Sequence, residues 1–222
     1  LTYQDVLLVP QYSDIVSRSE IDIGGDLDNS LHLTLPVISS PMDTISEEEM
    51  AATMSKNGGM SIIHRYNEPD EQAAIIRKAV ELGTNIVGGA VGVTNSYTKR
   101  ALMIVEAGAK VLCIDVAHGH HSLTKKAIKT LKARYPHVHI MAGNVATKEG
   151  FEALAEWGAD SIRCNIGGGS ICTTRVQTGH GVPGLQTIFD CATAANDRGV
   201  KIIADGGIRN AGDIVKALAA GA

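Results

Sequence analysis

Short runs of Val, Ile, Leu and Ala alternate along the chain with longer stretches in which apolar residues recur every three or four positions. The short runs suit strands buried on both faces, and the longer ones suit helices that bury a single stripe. Together they predict successive βα units with a parallel sheet between helices. Strands are predicted at residues 36–39, 60–63, 85–91, 110–116, 138–142, 161–166 and 201–204. Helices are predicted at 46–57, 69–82, 96–107, 122–134, 148–157, 185–198 and 211–220. Ser46 and Glu49 have the S-x-x-E spacing of a capping box, which would start the first helix. Gly83, Gly108, Gly158 and Gly221 each close an amphipathic run, where a left-handed residue is wanted. Glu106-Ala-Gly-Ala-Lys110, Glu156-Trp-Gly-Ala-Asp160 and Ala219-Ala-Gly-Ala222 write one helix-to-strand turn three times, an internal repeat.

Repeated βα units in 222 residues leave two architectures, a doubly wound open sheet or a (β/α)₈ TIM barrel. No G-x-G-x-x-G follows the first strand, which weakens the dinucleotide-binding open sheet. The favoured reading is an α/β chain forming one barrel domain over residues 1–222. About seven βα units follow an N-terminal extension of residues 1–34, which holds the turn-like stretch 22–30. The last helix and its Gly-Ala turn lead toward an eighth strand, expected with a mobile flap beyond residue 222.

Composition narrows the function classes. An apolar share of 44% against 20% charged residues is that of a folded domain, which sets disorder aside. The balance of 24 acidic and 20 basic residues, net −4, excludes bulk neutralisation of nucleic-acid phosphates. No apolar run is long enough to cross a bilayer and no signal-peptide pattern opens the chain, so a cytoplasmic protein is expected. Cys113, Cys164, Cys172 and Cys191 form no C-x-x-C pair and are read as reduced thiols.

In a barrel, chemistry gathers at the C-terminal ends of the strands, so the polar residues following each run are the candidates. They are Ser40-Pro-Met-Asp-Thr44, His64-Arg65, Asp115-Val-Ala-His-Gly-His-His121, Gly143-Asn144, Gly167-Gly-Gly-Ser-Ile-Cys-Thr-Thr-Arg175 and Asp205-Gly-Gly207. Three glycines and Ser170 let a backbone approach a phosphate and offer it N–H donors in a concave nest. Cys172 follows at once beside Arg175, a setting that favours a thiolate nucleophile. Asp205 suits a pair of ribose hydroxyls, and Gly206 and Gly207 suit a sugar phosphate. Taken alone, either segment also reads as an ordinary glycine-rich turn. His118, His120 and His121 lack the spacing of zinc ligands and read as pocket lining or solvated loop. His137 and His139 read as plain strand-edge residues, and Lys125, Lys126, Lys129 and Lys132 as the solvated face of a helix.

Several of these segments resemble the IMP dehydrogenase and GMP reductase family. They are Gly169-Ser-Ile-Cys-Thr-Thr-Arg175 followed by Thr178-Gly-His-Gly-Val-Pro183, Leu1-Thr-Tyr-Gln-Asp-Val-Leu-Leu-Val-Pro10, Ser39-Ser-Pro-Met-Asp-Thr44, Asp115-Val-Ala-His-Gly-His120, Ala142-Gly-Asn-Val145 and Ala204-Asp-Gly-Gly-Ile208. They occur in the family's order along the whole chain. The resemblance implies a barrel enzyme acting at C2 of a purine nucleoside 5′-monophosphate, with Cys172 adding to the base and Thr174 beside the site of hydride transfer and hydrolysis. It implies that Ser170, Gly206 and Gly207 hold phosphate and Asp205 the ribose, with Ser40 and Met42 along the nucleotide. Asn144 and Arg163 would support the cysteine loop, and Asp115 would meet the ribose of NAD. Carbonyls of Gly167, Gly169 and Cys172 would bind potassium, and a homotetramer is expected.

The sequence departs from the family pattern at Asn165, where the loop usually has glycine, and in the short segment 81–85, where most dehydrogenases carry a regulatory pair of repeats. Arg175-Val-Gln177 and His180-Gly-Val-Pro183 lean toward a dehydrogenase making xanthosine monophosphate. Gly184-Leu-Gln186 and the segment 115–120 are compatible with bacterial GMP reductases, which use NADPH, and the dehydrogenase is the favoured expectation. A nucleotide-binding regulator without catalysis is the remaining class.

Overall fold

The structure, a computed structural model, describes residues 1–94 and 96–222. Seven parallel strands pair strictly in chain order: β3 (Ile38–Ser39), β4 (Met60–Ile63), β5 (Val87–Val91), β6 (Val111–Asp115), β7 (His139–Val145), β8 (Ser161–Cys164) and β9 (Lys201–Ala204). A doubly wound sheet reverses its strand order at a switch point, and no reversal occurs here, so the sheet is a partial (β/α)₈ barrel. The helices between strands are α1 (Glu48–Lys56), α2 (Pro69–Glu81), α3 (Tyr97–Glu106), α4 (Ser122–Arg134), α5 (Lys148–Trp157) and α7 (Gly184–Arg198), with α8 (Ala211–Ala220) after β9. A short α6 (Thr174–Thr178) interrupts the segment between β8 and α7.

Alternation along the strands divides the core in two. Met60, Ile62, Val111, Cys113 and Met141 face the concave interior, where they meet Leu27, Leu31 and Leu33. Ile63, Leu112, Ile114, Ile140 and Ile162 face outward and pack on helix residues such as Ile76, Ile104, Leu131, Leu154 and Ile188. Both faces are therefore covered, as the near-continuous apolar strands require.

The three interior leucines belong to a small antiparallel hairpin of β1 (Gly25–Asp26) and β2 (His32–Leu33), which begins within the turn-like stretch 22–30 and ends beyond it. Its tip is fastened to the starts of two strands. Nδ1 of His139 donates to the Asp28 carboxylate at 2.6 Å, and Nε2 lies 2.8 Å from the Ser161 hydroxyl. His139 is thus a buried clasp and not a plain edge residue. The hairpin closes the N-terminal end of the sheet and leaves the opposite end to the polar loops.

Helix ends follow the glycine pattern, with Gly83, Gly108, Gly158 and Gly221 all at positive φ. The expected cap at Ser46 is corrected. The helix starts at Glu48 with Glu47 at its N-cap, and the buried Ser46 hydroxyl donates instead to the Ser40 carbonyl. A buried hydroxyl gains more from an interior acceptor than from a solvated helix end. Glu71 shows a cap contact, accepting from the Glu68 N–H at 3.1 Å. Lys132 is also not simply solvated, because it pairs with Asp160 at 2.6 Å.

Candidate active site

Four strand ends bring charged and polar groups together. Arg163 on β8 donates to Asp115 on β6 at 2.7 Å and to Asp205, just past β9, at 2.9 Å. To reach Asp115 it crosses β7 at Gly143, its register partner, where a Cβ would stand 2.6 Å from the Arg163 Cβ. Burial would lower the Arg163 pKa, but the Asp205 and Asp115 carboxylates outweigh it, and the guanidinium stays charged. The Cys113 thiol beneath it is pushed up to about 12, chiefly by burial. Asn144 Nδ2 donates to Asp205 at 2.6 Å and to the Asn165 carbonyl, at the root of the cysteine loop, at 3.0 Å. The loop after β6 docks on the same residue, for Gly119 N–H donates to the Asn144 carbonyl at 2.7 Å.

The cysteine loop leaves β8 through Asn165 and folds back so that Val182 N–H donates to the Ile166 carbonyl at 3.1 Å. Within it, Cys172 N–H donates to the Gly169 carbonyl at 3.1 Å. Cys172 is partly exposed, whereas Cys113, Cys164 and Cys191 are buried. Hydrogen bonds from the Thr174 side chain and backbone lower its pKa, with smaller help from the Gly167 backbone and the Arg175 charge. A thiol held this way is a better nucleophile at neutral pH than an ordinary cysteine.

The Asp205-Gly206-Gly207 turn lies against this loop. Both glycines have φ of +75°, and a Cβ on Gly207 would meet the Gly168 carbonyl oxygen at 2.8 Å. The two glycine turns thus abut, with room for no side chain at Gly207. A cavity of about 470 Å³ opens beside them, lined by Gly167, Gly168, Gly169, Ser170, Gly206 and Gly207 together with Arg175 and Arg209. A second cavity of about 720 Å³ adjoins it at Gly206 and Arg209; Ser40, Arg163 and Asp205 stand at one end, and most of its wall is apolar, from Leu27 and Leu33 of the hairpin to Ile202, Ile214 and Leu218. The first, lined by the two glycine turns and two arginines, suits an anion.

Met42 lies half-buried near Ser40, its N–H donating to the Ser40 carbonyl at 2.8 Å. His121 caps α4 by accepting from the Leu123 N–H at 3.1 Å, and the His120 ring rests 6.0 Å from that of Trp157. Among the described residues no group of three or more His, Cys, Asp or Glu could hold a metal ion. No described helix is long and apolar enough to cross a membrane.

Tyr3 and Gln4 are cavity walls that no local pattern marks, whereas Arg209 closes the phosphate-suited segment 204–209. Tyr3 is buried, and its carbonyl accepts from Lys216 at 2.7 Å, which brings the start of the chain to the anion cavity. With its amide oxygen turned toward Arg209, Gln4 accepts from both guanidinium nitrogens at 2.8 and 2.9 Å. Arg209, two residues past the double glycine, carried the visible signal, a cation next to an anion nest.

The family model described as IMP dehydrogenase / GMP reductase domain matches residues 1–222. The chain is similar to the inosine-5′-monophosphate dehydrogenase of Nitrosopumilus maritimus (strain SCM1), with 30% identity over 345 aligned positions, covering all of this chain and 72% of the relative. Similarity to the Cryptosporidium parvum protein of the same name is 36% over 264 positions, covering all of this chain and 65% of that one. A GMP reductase of Leishmania donovani is 30% identical over 356 positions, again across the whole of this chain and 72% of the relative.

Proposed function

The chain belongs to the IMP dehydrogenase / GMP reductase family, and from that membership we propose that it oxidises inosine 5′-monophosphate to xanthosine 5′-monophosphate with NAD. The observation that carries the proposal is Cys172: a lowered-pKa thiol on a glycine loop that abuts the Asp205-Gly206-Gly207 turn.

The phosphate lies in the smaller cavity against Ser170 and the Gly206 and Gly207 backbone, with Arg175 and Arg209 supplying positive charge. Asp205, fixed by Arg163 and Asn144, accepts from the ribose hydroxyls, and Ser40 and Met42 border the nucleotide. The Cys172 sulfur adds to C2 of the base. NAD, when bound, would supply the acceptor for the hydride lost from C2. Water then attacks the resulting thioimidate carbon, and the C–S bond breaks to release product and thiol. Thr174 stands beside Cys172, where it orients the sulfur and meets the reacting carbon.

Asp115 fits the cofactor ribose. Its side chain is 19% exposed and Arg163 holds one oxygen, which leaves the other as an acceptor for a hydroxyl. The carbonyls of Gly167, Gly169 and Cys172 are the oxygens available to potassium. That of Gly169 already accepts from Cys172 N–H and keeps one lone pair for an ion. A cytoplasmic homotetramer completes the proposal, in keeping with four unpaired cysteines.

Cys172→Ser in the full-length protein tests the covalent step: IMP binding should persist while turnover disappears, and unchanged turnover would refute it. Absorbance of the reduced nicotinamide decides the direction. NADH formation from IMP plus NAD is expected. Consumption of NADPH with GMP, without reaction of IMP, would make the protein a reductase, the name its Leishmania donovani relative carries.

A further inference from the structure

Asn165 is the one described non-glycine residue with positive φ, at 151°, and it is buried to 6% exposure. An L side chain is disfavoured in that conformation, so something must hold it there. Its carboxamide lies directly beneath the cysteine loop: a Cβ built on Gly168 would stand 2.5 Å from both Nδ2 and Oδ1. Nδ2 donates to the Asp205 carbonyl at 2.7 Å and lies 3.4 Å from that of Gly206. Two carbonyl oxygens facing the same atom fix it as the nitrogen. Oδ1 is buried and has no hydrogen-bond partner. Its backbone carbonyl meanwhile accepts from Asn144.

We propose that Asn165 is a positioning residue for the substrate phosphate, its carboxamide joining the Gly167–Ser170 loop to the Asp205-Gly206-Gly207 turn and setting the spacing of the two nests. This rests on the nucleotide reading above and deepens it. Nothing else in the cysteine loop hydrogen-bonds through a side chain to that turn among the described residues. Each nest supplies N–H donors from one side of the anion only, so phosphate binding depends on their separation. The amide holds that separation before the ligand arrives, whereas a glycine at this position would leave the two turns joined only by contact.

Alkylation of Cys172 by iodoacetamide reads occupancy of the site without turnover, because the other three cysteines are buried. The full-length protein and its Asn165→Gly variant are compared for protection by IMP and by inosine, which lacks the phosphate. Glycine accepts this φ without strain, so the variant should fold. The concentration of IMP needed for half protection should rise about tenfold, the scale of one lost hydrogen bond, while that of inosine stays unchanged. Asn165→Asp, which keeps the shape but turns a carboxylate toward two carbonyls and the anion, should weaken IMP further. Equal losses for IMP and inosine, or no loss for either, would overturn the proposal. If neither ligand protects the unmodified protein, the nucleotide reading itself falls and this inference with it.

Discussion

Arg163 and Asp205 meet at 2.9 Å from adjacent strands, inside the end of the sheet that carries the candidate chemistry. The same guanidinium reaches Asp115 two strands away, so one buried cation organises the two carboxylates assigned to the ribose of the nucleotide and of the cofactor. Gly143, on the strand between, makes that reach sterically open.

Removing the cation should therefore be costly to the fold as well as to the site. Arg163→Leu leaves two partly buried carboxylates facing each other, and breaking a buried pair in this way costs about 3–5 kcal/mol. Urea unfolding should show this as a lower midpoint with an unchanged slope. Arg163→Lys keeps the charge without the planar fork and should fall between the two proteins. A midpoint for Arg163→Leu within error of the unmodified protein would mean that the bridge contributes nothing to stability.

The thiol makes a second case. Thr174 is the leading cause of the lowered Cys172 pKa, since a hydroxyl donor favours the thiolate over the thiol. Thr174→Val removes that donor and keeps the backbone one, so the pKa should move up toward the ordinary cysteine value. Iodoacetamide should then react more slowly near neutral pH, and the two rates should converge at high pH where both thiols are ionised. Superimposable rate profiles would assign the activation to another group.

At the closed end, the Asp28 carboxylate is held below its usual range. Burial would raise its pKa, but hydrogen bonds from His139 and Ser30 outweigh that. A depressed folded pKa means the contribution to stability is complete above the unfolded value of about 4 and is lost as pH falls through the folded one. Asp28→Asn should cost about 1.5–3 kcal/mol at neutral pH, the range of a hydrogen bond to a charged group. Its melting temperature should also fall less steeply than that of the unmodified protein below pH 4. Parallel acid limbs would show that Asp28 does not carry this dependence.

The strands and helices of the barrel were legible because each buries a whole face, and burial writes a period into the residues. Ser122–Arg134, Lys148–Trp157 and Ala211–Ala220 have the bounds their patterns predict. The hairpin at Gly25 and His32 has two residues per strand, too few for a period to register, and Leu27, Leu31 and Leu33 become core only because a barrel interior receives them. His139 was opaque for the same reason: its partner Asp28 lies 111 positions away, and nothing local distinguishes it from His137. At the site, Cys172, Asp205 and the two glycine turns could be read as chemistry, since their residue types are unusual together. That Arg163 joins two carboxylates, and that Tyr3 walls the anion cavity, depends on strand order, which no local pattern carries.

Ser46 shows how a correct local signal can serve another end. Its Oγ donates to the Ser40 carbonyl and lies 2.7 Å from Ser39 Oγ, which lies 2.7 Å from Ser61 Oγ. The chain of hydroxyls runs from β4 to the Ser40–Met42 segment, along which the nucleotide is proposed to lie. A lost N-cap would fray one helix end, whereas a lost interior bond leaves buried oxygens unpaired and frees the loop. Ser46→Ala should thus cost about 1–3 kcal/mol, the penalty for a buried unsatisfied group, and also weaken IMP binding. A Glu47 or Glu48 substitution, at the actual start of α1, should leave IMP affinity unchanged. If Ser46→Ala lowers stability while IMP titrates normally, the hydroxyl chain supports the fold alone and Ser40 keeps its position without it.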